Sequence, residues 1–66
     1  MKKYYVSETQ NLNSYSKPDV VYAKNLTEVK RKASFNHAFH GTVLKIYHNS
    51  MTNLVAYKKD GIWTDI

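Results

Sequence analysis

The spacing of apolar residues changes several times along this chain, and each change marks an element. From Lys3 to Glu8 the residues alternate, with Tyr4 and Val6 on one face and Tyr5 on the other, the two-residue period of a strand. Thr9 to Pro18 is polar, anchored only by Leu12 and Tyr15, and closes on a proline that disfavours helix in the residue before it, so a loop is expected there. Asp19 to Lys24 holds Val20, Val21, Tyr22 and Ala23, a short β-rich run that reads as a second strand antiparallel to the first.

At Asn25 the period lengthens. Leu26, Val29 and Ala33 fall on one helical face, with Thr27, Glu28, Arg31 and Lys32 opposite and Lys30 at the border. The Asn25 side chain can accept from an early backbone amide, Glu28 sits near the positive end of the helix dipole, and Thr27 is a rival cap. In a straight helix Phe35 would point roughly 180° from Leu26 at about 100° per residue. The helix is therefore expected to end near Ser34, with Phe35 folding back into the core. Gly41, after Ala38 and Phe39, suits the end of a last turn because it tolerates positive φ.

Three extended segments follow, Thr42 to His48, Leu54 to Lys58 and Ile62 to Ile66, and a meander is their natural arrangement. Asp60-Gly61 is a two-residue hairpin signal that puts Val55 and Tyr57 on the face of Ile62, Thr64 and Ile66. If the loop around Asn49 to Asn53 is even in length, Leu44 and Ile46 share that inward face. Lys45, Tyr47, Lys58, Trp63 and Asp65 then lie on the opposite face. The expected fold is a single two-layer α+β domain over residues 1–66, in the order β-β-α-β-β-β, with one helix packed on a mostly antiparallel sheet. Its core should combine Leu26, Val29 and Ala33 with Val6, Val21 or Tyr22, Leu44, Ile46, Val55, Tyr57 and Ile62.

Composition narrows the chemistry. The 66 residues carry ten Lys or Arg against five Asp or Glu, a net charge of +5 that favours anionic partners. Without cysteine, disulfides and thiolate metal sites are ruled out, so a domain this small gains from self-association, and an open strand edge makes a homodimer conceivable. No apolar stretch of about 7 to 15 residues follows Met1-Lys2-Lys3, and none approaches the roughly 18 of a membrane span. A cytoplasmic protein with no membrane role is expected. Asn25-Leu26-Thr27 accordingly reads as a helix start and not as a glycosylation acceptor.

His37 and His40 could share a helical face with His48 as a third ligand, but no carboxylate lies near them in sequence, so neither a metal nor another cofactor is expected. Glu8, Asp19, Glu28, Asp60 and Asp65 are scattered, and Gly41 and Gly61 are the only glycines, so neither a carboxylate pair nor a phosphate loop is apparent and catalysis is not expected. The basic set is more suggestive. Lys30, Arg31, Lys32, Lys45 and Lys58 are candidate phosphate contacts, with Tyr47 and Trp63 as stacking groups. The bland alternative is a solvated helix face with lysines guarding sheet edges.

The stretch Lys24-Asn25-Leu26-Thr27-Glu28-Val29-Lys30-Arg31-Lys32-Ala33-Ser34, with Phe39-His40-Gly41-Thr42-Val43-Leu44 and Asp60-Gly61-Ile62-Trp63, resembles small orphan proteins of bacteriophages and prophages. That resemblance implies a phage accessory role, binding DNA or modulating a host protein. The leading expectation is non-catalytic binding of nucleic acid through backbone charge. The alternative is a protein-binding modulator of a host factor, anchored by Phe35, Phe39, Tyr47 or Trp63.

Overall fold

The computed structural model describes residues 1–10, 17–35 and 42–66. The readings placed on Leu12, Tyr15, His37, Ala38, Phe39, His40 and Gly41 lie outside these residues. Five strands and one helix follow in chain order: β1 (Lys2–Thr9), β2 (Asp19–Ala23), α1 (Leu26–Phe35), β3 (Val43–His48), β4 (Leu54–Lys59) and β5 (Ile62–Asp65). The strands form one antiparallel sheet in the spatial order β2-β1-β3-β4-β5, and the expected α+β architecture and element order are both present.

The helix forms because its start is capped and one face can be buried. The Asn25 side-chain carbonyl accepts from the Glu28 amide at 2.9 Å, and the Asn25 backbone carbonyl accepts from the Val29 amide at 3.2 Å. The first of these satisfies an amide that a helix N-terminus otherwise leaves unpaired, and the second is the first bond of the helix's own ladder. Ten residues are too few for a stable isolated helix, so packing must hold it in place. Val29 and Ala33 are buried against the sheet and Leu26 is half-buried. Complete burial of Val29 contributes about 1.5–3 kcal/mol.

Beneath the helix lies the core: Tyr4, Ala23, Val29 and Ile46, with Val6, Val21, Leu26, Val55 and Trp63 packed around it. Val21 takes the inward place on β2, while Tyr22 points away and is exposed. Phe35 departs from expectation. It is the last helical residue and 90 % exposed, because a regular turn carries it past the side that meets the sheet.

The larger departure is on β4 and β5. His48 and Asn53 close the β3–β4 turn, the His48 amide donating to Asn53 O at 3.1 Å, and four residues, Asn49 to Thr52, lie between them. Beyond this even loop Tyr47 pairs with Leu54, so inward Ile46 would meet Val55 as the hairpin logic requires. Instead the register shifts, and Ile46 pairs with Ala56. Val55 is the extra residue of a β-bulge, still packed against the core, and every later position of the hairpin changes face. Tyr57 and Ile62 therefore leave the expected core, with Ile62 69 % exposed, and Thr64 moves with them to the far face, while Lys58, Trp63 and Asp65 turn to the helix side. Lys45 and Tyr47 stay on the opposite face as expected. The Asp60-Gly61 hairpin is present, with both residues at positive φ, 54° and 80°.

Candidate functional site

The seven basic and aromatic positions singled out from the sequence divide among separate regions of the surface. Lys30, on α1, and Lys58, on β4, converge on Trp63 of β5. Their ammonium nitrogens lie 5.8 and 5.9 Å from the centre of its ring, within reach of cation–π attraction. Lys30 is also ion-paired with Asp65, two residues along β5, and Lys58 donates to the Ser34 hydroxyl at 3.2 Å. This constellation staples the helix to the last hairpin, with both ammonium groups over the indole ring.

The other four positions stand apart from it. Arg31 is exposed on the helix. Lys32 reaches toward β2, donating to the Tyr22 carbonyl at 2.9 Å and pairing with Glu28 at 3.3 Å. Its ammonium holds the Glu28 carboxyl below the ordinary carboxylate range. Lys45 and Tyr47 lie across the sheet from the helix, and Lys45 is only 6 % exposed.

His48, the third candidate metal ligand, faces the helix side and stacks on Tyr4, with ring centres 4.8 Å apart. Among the described residues no group of three His, Cys, Asp or Glu could hold a metal ion. Glu8 and Asp19 line a groove of about 170 Å³ beside Lys32 and Ala33, and Glu8 there accepts from the Thr42 hydroxyl at 2.8 Å. No helix among the described residues is long and apolar enough to cross a membrane.

A second surface escaped the reading of the sequence. On the sheet face turned away from α1, register sets Val20, Tyr5, Tyr47 and Leu54 side by side on β2, β1, β3 and β4. Tyr22 flanks this row beside Lys3, whose ammonium lies 5.1 Å from the Tyr5 ring centre, and hydrogen bonding to Tyr5 raises it above the ordinary lysine value. Alternation in β1 signals Tyr5, whereas the unbroken apolar run of β2 does not say which of its residues face away from the helix. The bulge that brings Tyr57 to the same face has no such signal.

No protein-family model and no curated protein sequence matches the chain. Among solved structures, AcrIF9 matches at 39 % sequence identity with a TM-score of 0.86, over 100 % of this chain and 88 % of AcrIF9. The chain belongs to the AcrIF9 family. AcrIF9 is a small phage anti-CRISPR protein, which agrees with the phage resemblance seen in the sequence. The shared length extends over all five strands and the helix, so both the Trp63 constellation and the tyrosine face stand on the family's fold.

Proposed function

We propose that this protein is an anti-CRISPR protein that acts in the host cell by docking, without catalysis, on a protein component of a CRISPR–Cas effector complex. The observation that carries this reading is the full-length likeness to AcrIF9 at 39 % identity and a TM-score of 0.86. A domain this small can inhibit by occupying a surface, and exposed aromatic side chains supply contact area at low entropic cost. Tyr22, 55 % exposed, suits such a role. The modulator of a host factor is thus better supported than the nucleic-acid binder that charge alone favours.

The test is phage plating on a host immunised by a type I-F system, the subtype in the relative's name, with the protein expressed from a plasmid. Restoration of plating to the level of a host without CRISPR immunity supports the reading. Unchanged immunity, with the protein detectably expressed, removes it.

Nucleic-acid binding keeps one specific support, the Trp63 ring between Lys30 and Lys58, which could stack on a base while its cations meet phosphates. Arg31, Lys32, Lys45 and Tyr47 add little to that spot, and Asp65 already engages Lys30. Under this second reading, affinity for duplex DNA or RNA falls steeply with salt, and Trp63→Ala weakens it.

A further inference from the structure

We propose that the end of the far sheet face that carries Tyr5, Val20, Tyr22 and Leu54, beyond the buried Ser7, Thr9, Val43 and Lys45, is the docking surface, and that its occupant is a protein surface with an apolar centre and carboxylates at its rim. This inference rests on the proposed function, since it names where on this chain the host component binds and with what chemistry.

Three observations carry it. The first is the row Val20–Tyr5–Tyr47–Leu54, which crosses four neighbouring strands without a charged residue. At about 4.8 Å between strands it spans roughly 14 Å, enough to seat a short helix or strand. Val20 at one end is 48 % exposed, and Tyr5, Tyr47 and Leu54 are half-buried. An aromatic centre with aliphatic ends is the composition of a protein interface core.

The second observation is the segregation of charge. Glu8, Asp19 and Asp65 lie on the helix side of the sheet by register, Glu28 is on the helix, and Asp60 is in the last turn. The charged side chains of the far face, among the described residues, are Lys3, Lys45 and Lys59. The face is therefore positive at its margins and complementary to an acidic rim.

Third, the layout fits a protein better than a nucleic-acid strand. Lys45, the central cation, is 6 % exposed, and Lys3 and Lys59 stand at opposite ends of the strands. That separation is about 20 Å at ~3.3 Å per residue. A phosphate backbone is tracked by a row of accessible cations, whereas two cations flanking an apolar row match a bounded patch. Val20 and Leu54 also offer no π-face for a base.

The experiment measures affinity of the full chain for a purified type I-F effector complex loaded with guide RNA, and separately for the guide RNA alone and for duplex DNA. Tyr22→Asp and Leu54→Asp place a carboxylate against the occupant's apolar centre or acidic rim, and each should weaken binding to the complex about thirtyfold or more, the scale of an interface hot spot. Lys3→Glu should weaken it, Lys3→Arg should preserve it, and Arg31→Glu on the helix should change it by less than roughly threefold, as a residue outside the interface does. Circular dichroism verifies folding, and Tyr22→Asp, at an exposed position, keeps the test alive if Leu54→Asp does not fold. Wild-type binding that is unchanged in the Tyr22 and Lys3 variants overturns this assignment alone. Absence of wild-type binding to the complex overturns the proposed function and this inference with it. Equal affinity for the complex and for naked RNA or DNA overturns the protein occupant.

Discussion

Lys58 and Trp63 face one another across the last hairpin, with the lysine nitrogen 5.9 Å from the indole centre, on the side of the sheet that carries the helix. The pair occupies that side because the bulge at Val55 turned the hairpin over. Trp63 covers the end of the core there, and the Lys30 ammonium lies over its ring. Trp63→Ala should therefore destabilise the fold by about 2–4 kcal/mol, somewhat below the cost at a fully buried site, and Trp63→Phe by less than half as much. Urea unfolding followed by circular dichroism measures both.

At the start of the helix the Asn25 side chain accepts from the Glu28 amide, while the Glu28 carboxylate accepts from the Lys24 backbone amide. Asn25→Ala should cost about 1 kcal/mol, while Asn25→Asp or Asn25→Ser should cost a few tenths at most. Thermal melts of the three variants separate these outcomes, and equal loss in all three would point to Thr27 as the true cap.

At Gly61 the backbone φ is +80°, and a Cβ added there would meet nothing within 4 Å. Any loss on Gly61→Ala is therefore conformational and not steric, and should amount to about 1 kcal/mol. Asp60→Asn, at φ 54°, should be tolerated, because asparagine accepts the left-handed region at least as well. A destabilisation of Gly61→Ala much beyond this range in urea would mean that the turn makes contacts not accounted for.

Glu28 gives the helix a dependence on pH. Its hydrogen bond to Lys32 lowers the carboxyl pKa in the folded state. A depressed folded value means the contribution is complete above the unfolded carboxyl pKa and is lost as pH falls through the folded one. The effect should be small, since both side chains are in contact with solvent. Melting temperature should decline on acidification below about pH 4.5, and Lys32→Ala should flatten that decline.

Much of this architecture was readable from residue order. Alternation in β1, the capped apolar face of α1 and the Asp-Gly turn each encode local geometry, and all of them appear where the pattern puts them. Val55 shows what such patterns omit. An extra residue in one strand costs nothing in local propensity and leaves no mark in the alternation, yet it exchanged Tyr57 and Ile62 for Lys58 and Trp63 on the helix side. The candidate surfaces inherited that uncertainty: Lys58 and Trp63 joined Lys30, while Lys45 and Tyr47 remained across the sheet with Tyr5 and Tyr57. Phe35 was misplaced for another reason. Apolarity argues for burial, and exposure of a single large side chain is decided by what it faces, which the helical period alone does not supply.

Titration calorimetry of the purified protein into a guide-loaded type I-F effector complex, repeated between about 50 and 200 mM salt, tests the central claim most directly. Saturable binding at a fixed stoichiometry is expected, with affinity falling less than about tenfold across that range and no comparable heat with duplex DNA alone. Heat only with free nucleic acid, lost by a factor of about a thousand or more over the same salt range, would contradict it.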